Sequence, residues 1–287
     1  MKPAPFDYAC PATVAEAVAL LAAYDGEAKP IAGGQSLMPL LAFRLAAPKL
    51  LVDLRKLPGL DRIVVGTDGV RIGARVRWRD IEDDPRLAAA HPLLRAMVAH
   101  VAHYQIRNRG TVGGSLAHAD PAAEMPGVAV ACDATIAVVG AAGAREIAAA
   151  DFFLGPLTTA LAADEIITEI RLPAWPAGRC WGFEEFARRR GDFALAGIAA
   201  FYDKAAADDL RAVNAHVGVI GACVRPHRLA AAEAALNRRV VDETTIGEAA
   251  QAAADEVDPP EDLHASAAYR RALVATMVER ALRRAAS

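Results

Sequence analysis

Apolar positions along the chain alternate between helical and strand spacing, and the alternation divides it into elements. Val14, Ala17, Val18 and Leu21 share one helical face behind the capping box Thr13-Val14-Ala15-Glu16, so the chain is expected to open with a helix reaching Tyr24. "AKPIAGGQSLMPLLAFRL" reads as a strand, a double-glycine turn, and a helix with Met38, Leu41 and Leu45 facing inward. "KLLVDL" is a strand, and "RIVV" and "VRIG" form a hairpin across Gly66-Thr67-Asp68-Gly69. A Leu- and Ala-rich helix is expected over residues 85–102. "ATIAVVG" and "REIAAADF" alternate about a turn between Gly140 and Gly143, and "EIITEIRLP" adds a strand.

"LPAWPAGRC" carries two prolines and a glycine and marks the expected boundary between domains at 1–175 and 176–287. Beyond it, "CWGFEEFARR", "GIAAFYD" and "AVNAHVGVIG" read as strands, and helices follow over about 227–237, 244–257 and 266–285. Strands followed by helices predict an α+β second domain.

A length of 287 residues suits two domains, each able to bury a core. Charges interrupt every segment, so no apolar run reaches the roughly 18 residues of a membrane span. The opening "MKPAPFDYACPATV" lacks the apolar centre of a secretory signal, and the expected location is cytoplasmic. A formal charge of -3 without a basic stripe argues against nucleic acid. Cys10, Cys132, Cys180 and Cys223 are scattered, with no CxxC pair, which reads as four free thiols rather than an iron–sulfur or other metal site.

Chemistry is signalled by two segments, Ala32-Gly33-Gly34-Gln35-Ser36 and Val112-Gly113-Gly114-Ser115, each taken as a strand-to-helix passage. Glycine lets successive N–H groups converge on an anion, a helix start adds free donors, and Ser36, Thr111 and Ser115 add hydroxyls. Each pair also reads as a plain turn requiring positive φ. Neither matches Gly-x-Gly-x-x-Gly or the phosphate loop ending in Gly-Lys-Ser/Thr.

"IAGGQSLMPLLAFRL", "QIRNRGTVGGSLAHADPAAEMP" and "FARRRGDFALAG", in that order, resemble the FAD-binding medium subunit of molybdenum hydroxylases, the carbon monoxide dehydrogenase and xanthine dehydrogenase flavoprotein family. The similarity extends from Phe6-Asp7-Tyr8 to the C-terminal helices. It implies an α+β protein: a FAD-binding fold of the vanillyl-alcohol-oxidase (PCMH) type, then a smaller α+β domain. Ile31, Ala32, Gly33, Gly34, Gln35, Ser36 and Leu37, with Thr111, Gly113, Gly114 and Ser115, would wrap the FAD diphosphate from two sides. Glu124 would accept hydrogen bonds from ribose hydroxyls, or else is a charge in an early helical turn. Ile167 would pack near the flavin, or is plain core. Phe193 would gate the isoalloxazine, or is core.

The resemblance also implies partners: a large molybdenum-binding subunit, a small [2Fe-2S] subunit, and assembly as a dimer of heterotrimers. Electrons would pass from the iron–sulfur subunit through this chain's FAD to an external acceptor, with no catalytic side chain required. Ser115 and Gln35 depart from the commonest family residues, as do Glu184 and Glu185, where relatives often carry lysine. His118 beside Asp120 reads as structural, Arg107 and Arg109 as loop charges or phosphate partners, and Arg188-Arg189-Arg190 as surface. Two rival readings are a stand-alone FAD-dependent oxidase of the same fold and a scaffold whose glycine turns are only turns.

Overall fold

Three short strands start the architecture. In the computed structural model, which describes residues 2–206 and 208–287, Asp7–Ala9, Leu50–Asp53 and Ala28–Ile31 form a parallel sheet in that order. The helix Val14–Ala23 makes the crossover, and its capping box is complete: Glu16 N–H donates to Thr13 Oγ1 at 3.1 Å and Thr13 N–H to the Glu16 carboxylate at 3.3 Å. Asp7–Ala9 precedes that helix, so the chain opens with a strand; three residues are too few for alternation to reveal it. Leu50–Asp53 is buried throughout, as the middle strand of a covered parallel sheet must be.

The second lobe is a five-stranded antiparallel sheet in which Ile166–Pro173 lies between the hairpins Ile63–Gly66/Gly69–Gly73 and Thr135–Gly140/Gly143–Ala148. Its inward face joins the largest core, with Leu93, Leu94, Met97, Val98 and Phe152. The single helix expected over 85–102 is broken into Leu87–Ala90 and Pro92–Val98. Pro92 forces His91 out of the helical region, to φ -160° and ψ 74°, and the buried His91 ring then caps the next helix by accepting from Leu94 N–H at 3.2 Å. "REIAAADF" likewise stops being strand at Ala148 and closes as the helical turn Ala149–Phe152.

Strands Cys180–Phe186, Ala196–Lys204 and Ala212–Ile220 form the C-terminal antiparallel sheet. Alternation along the middle strand sends Ala196, Ile198, Ala200 and Tyr202 towards helices Glu243–Glu256 and Ala267–Ala286, while Ala199 and Phe201 join the first core. The first of the three expected helices covers only Ala230–Leu236, because residues 227–229 still pair with the last strand. Gly182 lies under the long helix, where an added Cβ would stand 2.0 Å from Ala281 O. Gly182→Ala is therefore expected to lower stability by about 1–3 kcal/mol, seen as a lower Tm; an unchanged Tm would refute this packing.

Between the two sheets runs Glu124–Ala131, every residue of which is buried. A helix enclosed on all sides must be apolar all round, and "EMPGVAVA" is apolar after its first residue. Gly127 and Gly218 permit the approach: added Cβ atoms would lie 2.3 Å from Ile220 Cγ1 and 2.7 Å from Ala131 Cβ, respectively. Arg179, forked onto Asp203 at 2.8 Å and stacked over Trp175 and Phe201, ties the connecting segment to this junction. No helix of the described residues is long and apolar enough to cross a membrane.

Candidate functional site

The double-glycine segment after Ala28–Ile31 leaves the C-terminal edge of the parallel sheet, where open α/β sheets place their ligands. Gly34 has φ +73°, a left-handed conformation, and turns the chain into the helix Leu37–Ala42. No acceptor among the described residues receives the backbone N–H of Gly33, Gly34, Gln35, Ser36 or Leu37. Five consecutive free donors in a glycine turn form a concavity suited to an anion. The Gln35 side chain donates back to Gly33 O at 3.0 Å and stiffens the turn. Of the helix that follows, only Leu41 faces inward: Met38 and Leu45 are exposed, because Leu37–Ala42 ends after six residues and the chain then leaves the helical path.

Residues 111–115 are built differently. The helix Tyr104–Arg107, not a strand, precedes them, and Gly113 and Gly114 lie inside the helix Val112–His118 with no positive φ. Its first donors are already spent. Val112 N–H goes to Val76 O at 3.0 Å, Gly113 N–H to Ala74 O at 2.9 Å, Gly114 N–H to Thr111 Oγ1 at 3.1 Å and Ser115 N–H to Thr111 O at 3.0 Å. The expectation that this helix start offers free donors is therefore corrected. Gly113 is demanded by packing, since its Cβ would meet Ala74 Cβ at 2.5 Å.

The two segments nevertheless meet. A Cβ on Gly33 would stand 2.1 Å from Arg109 O and 3.0 Å from Gly110 Cα, so the first turn rests on the residues leading into the second. Beside this contact lies an open cavity of ≈ 410 Å³ lined by residues 31–35, Met38, Pro39, Asp53, Arg55 and Arg109. Ser36, Leu37 and residues 111–115 are not among its lining residues. Free N–H groups with two guanidinium groups suit the diphosphate of FAD. Arg107 is occupied elsewhere, donating to Glu82 and to Val101 O and Ala102 O.

The remaining expected residues separate by burial. Glu124 is buried at the start of its helix; burial, with the Asp120 charge adding, pushes its carboxyl up to about 7 against a lowering bond from its own backbone N–H. Glu185 faces the same junction, its Oε2 buried without a partner, and burial followed by the Glu124 charge pushes it up to about 9. Glu184 points the other way and pairs with Arg284 at 2.6 Å. Ile167 lies in the largest core. Phe193 is 61% exposed, which removes the core reading. His118 and Asp120 share no hydrogen bond, and residues 188–190 are exposed.

Sequence reasoning passed over Tyr8, Asp53 and Arg55. The available signal was "LLVDLR", an acid at the end of a strand with arginine two residues on, but only the fold shows that this strand is central and opens on the cavity.

Residues 4–175 match the family described as FAD binding domain in molybdopterin dehydrogenase, and residues 181–285 match the CO dehydrogenase flavoprotein C-terminal domain. The nicotine 6-hydroxylase medium subunit of Paenarthrobacter nicotinovorans is 42% identical over 98% of both chains. Among solved structures, the carbon monoxide dehydrogenase from Hydrogenophaga pseudoflava lacking the Mo-pyranopterin moiety of the molybdenum cofactor superposes with a TM-score of 0.95 at 37% identity, covering 99% of this chain and 98% of that one. Quinoline 2-oxidoreductase from Pseudomonas putida 86 gives 0.94 at 40% identity, covering 100% and 98%. The chain belongs to the FAD-binding medium subunits of the molybdenum hydroxylases, the carbon monoxide dehydrogenase and xanthine dehydrogenase flavoprotein family.

Proposed function

We propose that this chain is the flavin station of a molybdenum hydroxylase complex, receiving electrons from a [2Fe-2S] partner subunit and passing them to an external acceptor. The observation that carries the reading is the run of five unpartnered N–H groups at residues 33–37, opening on a cavity with two arginines. They bind the diphosphate of FAD, while residues 111–115 brace the turn, Ser115 supplying a hydroxyl. Glu124 accepts from the ribose, and the exposed Phe193 covers the isoalloxazine; Ile167 acts from within the core, as backing for the flavin. When bound, FAD supplies the redox chemistry, exchanging electrons singly or in pairs.

The four cysteines are free and dispersed, so in this reading the iron–sulfur clusters sit on a small subunit and the molybdenum cofactor on a large one. The unit of assembly is a dimer of heterotrimers. Unpaired cysteines also favour a reducing, cytoplasmic location. The FAD-binding domain occupies 1–175 and the C-terminal domain 176–287, with the Arg179 stack joining them. The purified chain, given FAD and freed of excess, is expected to show protein-bound flavin absorbance. A spectrum without flavin bands would sink the cofactor assignment; flavin without copurifying molybdenum and iron subunits would sink only the complex.

A further inference from the structure

Asp53 is a buried carboxylate at the end of the central parallel strand, 3% exposed. It caps the helical turn Leu54–Lys56 and also pairs with Arg55, whose side chain lines the cavity. Its Oδ1 accepts the Arg55 backbone N–H at 2.8 Å, and its Oδ2 accepts Arg55 Nε–H and the Tyr8 hydroxyl, each at 2.7 Å. Arg55 Nη2 closes the fork at 2.5 Å. Burial opposes the Asp53 charge, but the bonds from Arg55 and Tyr8 outweigh it and hold the carboxyl below its ordinary range. The Tyr8 phenol, with Asp53 as its acceptor, is pushed up to about 12 and stays neutral.

A guanidinium has five N–H donors, and this fork uses two of them on one edge. The other edge, with both Nη1 hydrogens and one on Nη2, has no acceptor among the described residues. Arg55 lines the cavity that residues 33–35 also line, as does Arg109, which forms no ion pair among the described residues. The charges Asp53⁻, Arg55⁺ and Arg109⁺ leave the cavity net positive.

We propose that Arg55 is a diphosphate-binding residue of this flavin site, and that Asp53 and Tyr8 are positioning residues that aim its free edge at the anion. The inference rests on the reading of the cavity as the FAD diphosphate site. A flexible arginine loses rotamer freedom when it binds an anion; one already held by a buried carboxylate has less to lose. Placing the anchor under the guanidinium serves recognition in a way that a free surface arginine does not.

The test is titration of the flavin-free full-length chain with FAD at low and high salt, alongside its Tm. Arg55→Gln keeps a donor but removes the charge and the fork. It is expected to weaken FAD binding about tenfold at low salt, to make affinity less sensitive to salt, and, with Asp53 left buried without its guanidinium, to lower the flavin-free Tm. Arg55→Lys restores the charge without the fork and falls between the two; Asp53→Asn weakens FAD binding less than Arg55→Gln. Wild-type affinity in Arg55→Gln overturns the inference, as does a loss equal at all salt concentrations, which would mark a merely structural role. Where that instability prevents titration of Arg55→Gln, Arg55→Lys decides by the same salt criterion. A wild-type chain that takes up no FAD overturns the functional reading together with this one, whereas FAD uptake indifferent to Arg55 overturns this one alone.

Discussion

Replacing Gly33 by alanine abolishes FAD binding and lowers the stability of the chain by about 2–3 kcal/mol. The added methyl group would stand 2.1 Å from Arg109 O and 2.8 Å from its carbonyl carbon, and backbone cannot swing aside as a side chain can. Relief comes only by parting the two segments, which turns the N–H groups of residues 33–37 away from the cavity. The other glycines set a graded control. At Gly34 a Cβ would meet the flexible Met38 Cγ at 3.2 Å, but φ +73° adds a strain of about 1–2 kcal/mol. At Gly114 it would meet only the Thr111 hydroxyl at 2.8 Å, so alanine there loses little more than the cap, about 1 kcal/mol. Flavin titration and thermal unfolding of the three variants check the order; wild-type FAD affinity in Gly33→Ala would show that the two segments need not touch.

Glu185→Gln stabilises the flavin-free chain at alkaline pH by about 1–3 kcal/mol and flattens its stability against pH. Burial and the Glu124 charge raise Glu185 from 4.5 to about 9, and burial raises Glu124 from 4.5 to about 7. A carboxyl whose folded pKa lies above its unfolded one binds more protons in the native state. Unfolding is then favoured as pH rises from about 4.5 through the folded values, to about 7 for Glu124 and about 9 for Glu185. Below that window both acids are neutral in either state, and they exact no penalty. Glutamine is neutral throughout, so variant and wild type should unfold together below about pH 4.5 and diverge progressively as pH rises from there to about 9. Parallel curves across the range would show that Oε2 of Glu185 has a partner in solution.

Reading the glycine segments from sequence assigned both the same chemistry, free donors at a helix start, and the structure separates them. Both look alike as Gly-Gly beside a hydroxyl, yet residues 33–37 keep their donors free and residues 112–115 have theirs consumed. Two of the acceptors are on Thr111 itself, but the other two, Val76 O and Ala74 O, come from the loop after the strand Gly69–Gly73, which local pattern does not relate to Thr111. Phe193 and Ile167 carried the same ambiguity between core and flavin, and only burial separates them. Met38 and Leu45 mislead for a related reason: helical periodicity assumes a helix long enough to have a face, and this one stops after six residues.

By itself the sequence determined the family and the larger elements. The capping box at Thr13, the alternation in 196–202 and the glycine-containing motifs are local patterns whose physics acts over a few residues. Tertiary structure decided what depends on long-range approach. It set Gly33 against Arg109, Asp53 beneath Arg55 at the cavity wall, and Glu185 near Glu124 in the junction. Hydrogen-bond satisfaction and desolvation are properties of surroundings, and those surroundings come from parts of the chain tens of residues apart.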